Sequence, residues 1–66
     1  MTTSTAIPAA DLEPGTIFID PANGSLVEFS RWGQDDEGTF AEVRTLAGRL
    51  IDIDLDPAHF ITEAAR

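Results

Sequence analysis

The chain has 66 residues, and twelve Asp and Glu against four arginines give it a formal net charge of -8. A domain of this size buries only about 60% of the surface that its unfolded chain exposes, so its core must be small. The chain has no cysteine and one histidine, which excludes disulfides and thiolate zinc sites as sources of stability.

The charge balance also disfavours several classes of partner. An acidic surface repels phosphate backbones and anionic lipids, so we expect neither direct nucleic-acid binding nor membrane binding. The first residues, MTTSTAIPAA, contain no basic residue and no apolar run, and no later run approaches the roughly 20 residues that span a bilayer. The expected location is the cytoplasm, or a virion if the chain is phage-encoded.

Local signals divide the chain into an arm, a β domain and a short tail. Residues 1–10 are mostly Ser, Thr, Ala and Pro without periodicity, which predicts an irregular N-terminal arm, flexible or ordered by a partner. Residues 11–62 alternate turn and strand signals, and 63–66 form the tail. The predicted strands cover residues 16–20, 25–32, 39–45, 49–55 and 60–62.

Turn residues separate these strands. Asn23-Gly24 favours the left-handed conformations of tight hairpin turns, and the polar stretch 33–38, bounded by glycines, predicts a solvated hairpin tip. Pro57 lacks a ladder donor, so it should end the fourth strand and begin a single helical turn over 57–59.

Period-two alternation assigns residues to the two faces of each strand. The predicted core consists of Ile17, Ile19, Val27, Phe29, Ala41, Val43, Ile51, Ile53 and Leu55, with Leu12 and Phe60 as plugs. The opposite faces carry a second apolar set, Phe18, Leu26, Trp32, Phe40 and Leu50. This second set either tucks into a barrel end through strong sheet curvature or forms a partner-binding patch.

The predicted fold is all-β, a small five-stranded antiparallel SH3-like barrel or a strongly curled sheet. A turn entering a strand at 12–16, two hairpins, an Asp56-Pro57 turn and a short closing strand together resemble the SH3-like small barrels. Some small proteins of actinobacteria and their phages have this look, and frequent Ala, Asp, Gly and Arg with no lysine fits such a source. The resemblance implies a fold and no activity, since small barrels host many unrelated functions.

The stretch DIDLD places Asp52, Asp54 and Asp56 at the first, third and fifth positions of an EF-hand-like spacing, with Glu63 at the twelfth. The sixth position needs a sharp turn that glycine permits, and Pro57 cannot adopt positive φ. Carboxylates on alternate strand positions are also ~7 Å apart, too far for one ion to collect. We therefore expect no metal site here, only a solvated acidic face opposite Ile51, Ile53 and Leu55.

Other polar residues do not form a catalytic pattern. Asp35, Asp36 and Glu37 make a like-charge run typical of a solvated hairpin tip. His59 lies beside Pro57 and Phe60, a setting more typical of packing than of catalysis. No Ser or Thr has an evident base and no glycine-rich phosphate loop occurs, so we expect neither an enzyme nor a cofactor.

Two protein-binding hypotheses remain. The first is a non-enzymatic interaction module of structural type, a phage or mobile-element accessory such as a capsid decoration, cement-like or minor virion protein, whose partner is a coat protein. The second is a small acidic regulator or inhibitor that occupies a basic site on a host protein, imitating nucleic acid with its acidic rows. Those rows consist of Asp35, Asp36, Glu37, Asp52, Asp54 and Asp56. Homo-oligomerisation is compatible with both.

Overall fold

A computed structural model describes residues 5–64 as one six-stranded antiparallel sheet, which confirms the predicted all-β class. The strands are β1 (Thr5–Pro8), β2 (Ile17–Ile19), β3 (Leu26–Asp35), β4 (Gly38–Thr45), β5 (Leu50–Ile53) and β6 (Phe60–Glu63). Their order across the sheet is β1-β6-β2-β3-β4-β5. Over the described residues β1 and β5 are free edges, so the sheet is not closed into a barrel.

The N-terminal segment differs from the predicted irregular arm. Residues 5–8 form β1, which pairs with β6 in a register that places Ile7 opposite Ile61. A 3₁₀ turn, Ala9–Asp11, follows and is tied down where the Ala9 N–H donates to the His59 carbonyl at 2.7 Å. The sequence did not indicate this strand, because a four-residue edge strand that ends in proline has a weak sequence signal. The rest of the predicted arm, 1–4, lies outside the described residues.

The β3–β4 hairpin is longer than predicted. The stretch 33–38, expected as a loop, continues the ladder until Asp35 lies opposite Gly38, leaving a two-residue tip at 36–37. Gly38 has φ +127°, a value that L side chains rarely adopt, so glycine is needed at this position. The long hairpin therefore extends the acidic tip well beyond the core.

One apolar cluster on a single face of the sheet forms the core. Its fully buried members are Ala9, Leu12, Phe18, Val27, Phe29, Ala41, Val43, Leu55 and Ile61, and Ile7, Trp32 and Ile53 pack against it. Most of the predicted core on β3, on β4 and beside Pro57 is thus confirmed.

The predicted faces of β2 and β6 are inverted. Phe18 is 0% exposed and fills the core opposite Val27, whereas Ile17 is 39% exposed and Ile19 is half-buried on the outer face. The same inversion occurs in β6, where Ile61 is buried and the predicted plug Phe60 is exposed. Both strands carry apolar residues at adjacent positions, so alternation could not choose the face, and size does not decide it either, since Phe18 is buried in β2 while Phe60 is exposed in β6.

Two further core predictions need correction or explanation. Ile51 lies opposite Val43 on the core face, yet it is 36% exposed because β5 is an edge strand with no strand beyond it. The fourth strand was predicted to continue to residue 55, but β5 ends at Ile53 and Leu55 is buried from the following loop.

A β-bulge at Ser30 changes the side of the sheet that Trp32 occupies. The β3–β4 register shifts by one residue between Phe29 and Arg31, so one additional residue lies on β3. After this shift Trp32 is opposite Ala41 on the core face, and its ring lies 5.5 Å from that of Phe29 with a tilted geometry. Trp32 is therefore a core-packing residue rather than a member of the outer face.

Candidate interaction surfaces

An uncharged row of side chains crosses four adjacent strands on the outer face of the sheet. Directly opposite residues share a face, and the register joins Ala6 to Thr62, Thr62 to Ile19 and Ile19 to Leu26. Ala6 and Leu26 are exposed, and Thr62 and Ile19 are half-buried. In a chain that carries a net charge of -8, this row gives one part of the surface an apolar character.

Leu46, in the turn that follows β4, lies next to Leu26 at the β3 end of this row. It is 82% exposed in the turn between β4 and β5. It lines a cleft of about 260 Å³ together with Leu26, and a second cleft of about 230 Å³ together with Ile17. Leu46 therefore lies between Leu26 and Ile17 and connects them into one surface.

The neighbouring row on the outer face is mixed in character. It runs from Ile17 through Glu28 and Arg44 to Leu50, which is 52% exposed. Ile17 lies beside the uncharged row, the middle of the mixed row supplies one charge of each sign, and Leu50 lies at its far end on β5. We name Ile17, Ile19, Leu26, Leu46 and Leu50 together the outer apolar patch.

The predicted partner-binding set is only partly retained in this patch. Leu26 and Leu50 are exposed as expected, but Phe18 is fully buried and Trp32 packs on the core. Phe40 is on the outer face and half-buried, yet it lies across Gly33, where an added Cβ would be 2.6 Å from Phe40 Cε2. The ring of Phe40 thus covers a glycine on its own sheet and belongs to the hairpin rather than to the patch.

Sequence reasoning missed Ile17, Ile19 and Leu46. A leucine within the turn 46–48, where polar residues are usual, was the one available signal for Leu46. The two isoleucines gave no signal, because their face depends on which neighbour fills the core.

A second surface, formed by the β3–β4 hairpin tip and β5, is acidic. Pairing of β4 with β5 brings the β3–β4 hairpin tip beside β5, and a cleft of about 240 Å³ is lined by Asp35, Glu37, Asp52 and Asp54. An adjoining cleft of about 260 Å³ is lined by Glu37, Asp54 and Asp56. The two acidic runs, far apart in sequence, therefore form one surface, which we name the acidic end.

Several of these carboxylates have local structural roles. Asp35 Oδ1 accepts the Glu37 N–H at 2.8 Å, and Asp56 Oδ1 accepts the Ala58 N–H at 2.9 Å. Both are side-chain contacts that fix turns. Asp52 is exposed on the outer face opposite Glu42, while Asp54 lies in the loop after β5. Within residues 5–64 no group of three or more His, Cys, Asp or Glu side chains has a geometry that could hold a metal ion.

The border between the two surfaces carries an ion pair. Arg31 Nε lies 3.3 Å from Glu42 Oε1, and the Arg31 side chain is 75% exposed. Such an exposed pair contributes little to stability.

In the described part of the chain, no helix has the length and apolar character needed to cross a membrane. Comparisons of the chain with protein-family models, with curated proteins and with solved structures found no match. A function for the protein is therefore inferred from the outer apolar patch and the acidic end.

Proposed function

We propose that the protein is a non-enzymatic protein–protein interaction module that docks on its partner through the outer apolar patch. The observation that carries this proposal is the uncharged row across β1, β6, β2 and β3, which continues to the exposed Leu46. Exposed aliphatic side chains that cluster beside such a row are typical of a binding surface. Burying one large aliphatic side chain contributes about 1.5–3 kcal/mol, so a few of them can drive association.

The type of partner follows from the two-sided character of the molecule. An apolar patch beside a separate acidic surface suits a domain that attaches to a larger assembly and keeps its acidic residues in solvent. Within the sequence-based hypotheses, this favours a structural accessory of a phage or mobile element, a capsid decoration, cement-like or minor virion protein whose partner is a coat protein.

The test is purification from the native source followed by mass spectrometry of the proteins that accompany this chain. Recovery in particles at a fixed ratio to a coat protein is the expected result. The captured partner is then titrated with the wild type and with Leu46→Asp, which places a charge in the patch and should weaken binding at least about tenfold.

Glu37→Gln at the acidic end is the matched control, and its affinity should stay within about twofold of the wild type, as rim charges contribute little. Equal affinity of wild type and Leu46→Asp would refute docking through the patch.

A second candidate function is supported by the convergence of the two acidic runs. An acidic regulator would place the acidic end in a basic site of a host protein, and Asp35, Glu37, Asp52, Asp54 and Asp56 lie close enough together to act as one charged surface. Its affinity should fall steeply between 0.05 and 0.5 M salt, values chosen to bracket a Debye length of about 10 Å. Docking through the outer apolar patch should change little over the same range, so the salt dependence separates the two functions.

A further inference from the structure

We propose that the cleft beside Asp20 receives the side chain of a lysine from the partner protein. This inference rests on the proposed protein-binding function and adds a specific chemical contact to it. The cleft has a volume of about 260 Å³ and lies where the β2–β3 loop meets the β4–β5 turn. Its residues are Asp20, Asn23, Ser25, Leu26, Val27, Thr45, Leu46, Ala47 and Ile51.

The first observation is the burial of Asp20. Asp20 is 3% exposed, and it is the one buried acidic residue in the described part of the chain. A largely buried carboxylate without a cation is costly. The ion pair present within residues 5–64 joins Arg31 to Glu42, so Asp20 has no cationic partner there.

The turn alone does not explain a carboxylate at this position. Asp20 Oδ1 accepts the Ala22 N–H at 2.9 Å, which fixes the loop, but an amide oxygen would do the same. Asn23 shows this three residues later, where its Oδ1 accepts the Ser25 N–H at 2.9 Å. The loop therefore requires a hydrogen-bond acceptor at residue 20 but does not require a negative charge there.

The second oxygen of Asp20 is free and reachable. Among residues 5–64, no protein donor forms a hydrogen bond to this oxygen. Every side-chain oxygen there that is fully shielded from solvent does have a hydrogen-bond partner, so the second oxygen of Asp20 is in contact with solvent. The cleft that Asp20 lines is the opening through which a ligand could approach it.

The walls of the cleft define the rest of the ligand. Leu26, Leu46 and Ile51 supply apolar surface, and Asp20 supplies the one formal charge among the lining residues. A lysine has an aliphatic stem that suits such walls and a charged head that suits a carboxylate. The volume is below the roughly 300–1,000 Å³ of sites for drug-sized ligands, which fits a single side chain.

Lysine fits better than arginine because of hydrogen-bond geometry. A guanidinium prefers both oxygens of a carboxylate, and Oδ1 of Asp20 is already occupied by the Ala22 N–H. An ammonium acts as a point charge and needs one oxygen. Arg44 does not compete for this position, since it lines the neighbouring cleft and its Nη1 donates to the Gly48 carbonyl at 3.3 Å.

The cleft borders the proposed docking surface at the end of the sheet, where Val27, Thr45 and Ile51 line it from the core face. Leu26 and Leu46 belong both to the cleft and to the outer apolar patch. A partner seated on the patch would therefore have the cleft at the edge of its contact, where an inserted lysine adds specificity through the single buried charge.

The test uses Nα-acetyl-lysine methylamide as the probe and backbone amide chemical shifts of the ¹⁵N-labelled full chain as the readout. Saturable shifts at Asp20, Asn23, Leu46 and Ala47 in the millimolar range are expected. The norleucine analogue has the same four-carbon stem without the ammonium, and it should bind at least about tenfold more weakly because it lacks the charge-assisted hydrogen bond. Equal binding of the two probes to the wild type would overturn the proposal without relying on any variant.

Asp20→Asn supplies the matched variant, since it keeps the acceptor for the Ala22 N–H and removes the charge. It should reduce affinity for the lysine probe by about tenfold, while Asp52→Asn, which removes an exposed charge elsewhere, should leave it unchanged. Equal reduction by both substitutions would mean that general charge attraction, and not the cleft, binds the probe. In the partner titration, loss of binding with Leu46→Asp but full binding with Asp20→Asn would refute the lysine site and leave the proposed function in place.

Discussion

The outer apolar patch and the acidic end are built on the same sheet but differ in how their side chains are used. In the patch, Ile17 and Ile19 face outward because Phe18 between them fills the core. At the acidic end, Asp35 and Asp56 hold turns through side-chain hydrogen bonds, and Asp52 and Asp54 are solvated. The patch is thus apolar surface without a local structural role, whereas part of the acidic surface already has one.

The two surfaces therefore differ in how readily a general structural role accounts for their exposed side chains. Charged residues at turns and sheet edges are common because they keep the chain soluble and block edge-to-edge pairing. Exposed aliphatic side chains such as Ile17, Leu26 and Leu46, which line adjoining clefts, have no such general explanation. The patch is therefore the stronger candidate for a binding surface. Substitutions in the core, the hairpin and the acidic end can test whether the side chains have the structural roles assigned to them.

The largest effect is expected from Phe18→Ala. Removing this fully buried ring should cost about 3–5 kcal/mol of unfolding free energy, which is comparable to the whole contribution of the core in a domain of this size. Urea denaturation followed by tryptophan fluorescence measures the loss. Its neighbour Ile17 is the control, because Ile17→Ala removes a side chain from the outer face and should cost under about 1 kcal/mol. Equal costs for the two substitutions would show that the assigned faces of β2 are wrong.

Gly33→Ala should have the next largest effect, about 1–3 kcal/mol, because the new methyl group collides with the ring of Phe40. Thermal unfolding of four proteins completes a double-mutant cycle: wild type, each single variant and the double variant with Phe40→Leu. The smaller leucine should relieve much of the clash. Additive effects in the cycle would contradict the packing of Phe40 on Gly33 and return Phe40 to the list of candidate docking residues.

Asp56→Ala should lower stability by about 1 kcal/mol, since it leaves the Ala58 N–H without its side-chain acceptor. Asp56→Asn retains an acceptor and should stay close to wild type, although it removes the same charge. Asp54→Ala is the second control, because within the described residues its carboxylate accepts no hydrogen bond from the protein. The midpoints of chemical denaturation compare the stability of the three variants. A larger loss of stability for Asp54→Ala than for Asp56→Ala would show that Asp56 does not hold the turn.

The smallest effect concerns salt. Like charges around the acidic clefts repel one another, so screening from 0.02 to 0.5 M NaCl should raise the melting temperature, with a gain of under about 1 kcal/mol. The variant with Glu37→Gln, Asp52→Asn and Asp54→Asn should show a smaller rise. If salt stabilises both proteins equally, repulsion at the acidic end does not weaken the fold.

Prediction from sequence succeeded where alternation was long and regular. Val27, Phe29, Ala41 and Val43 were assigned to the core because β3 and β4 alternate over several residues. It failed for Phe18, since Ile-Phe-Ile offers apolar residues to both faces and only the pairing of β2 with β3 and β6 selects one. The SH3-like resemblance stays a prediction, with the described sheet open at β1 and β5.

The candidate surfaces show the same division. The acidic residues were found from sequence, but their convergence depends on the β4–β5 pairing, which joins positions 35–37 to 52–56 in space. The cleft at Asp20 could not be found, because its walls come from the β2–β3 loop and the β4–β5 turn, and burial of a single Asp leaves no mark in the sequence.

The all-β class, most turn positions and the acidic character of the surface could be predicted from the sequence, since these depend on local backbone preferences and on composition. The loop expected over 33–38 is the exception, because the hairpin ladder continues through most of it. The tertiary structure decided which apolar side chains are exposed. One additional residue at Ser30 moved Trp32 to the core face, and β1 covered an edge of β6 that the sequence left open. A strand's two faces become distinct only when its neighbours are in place, because burial is a property of the packed sheet.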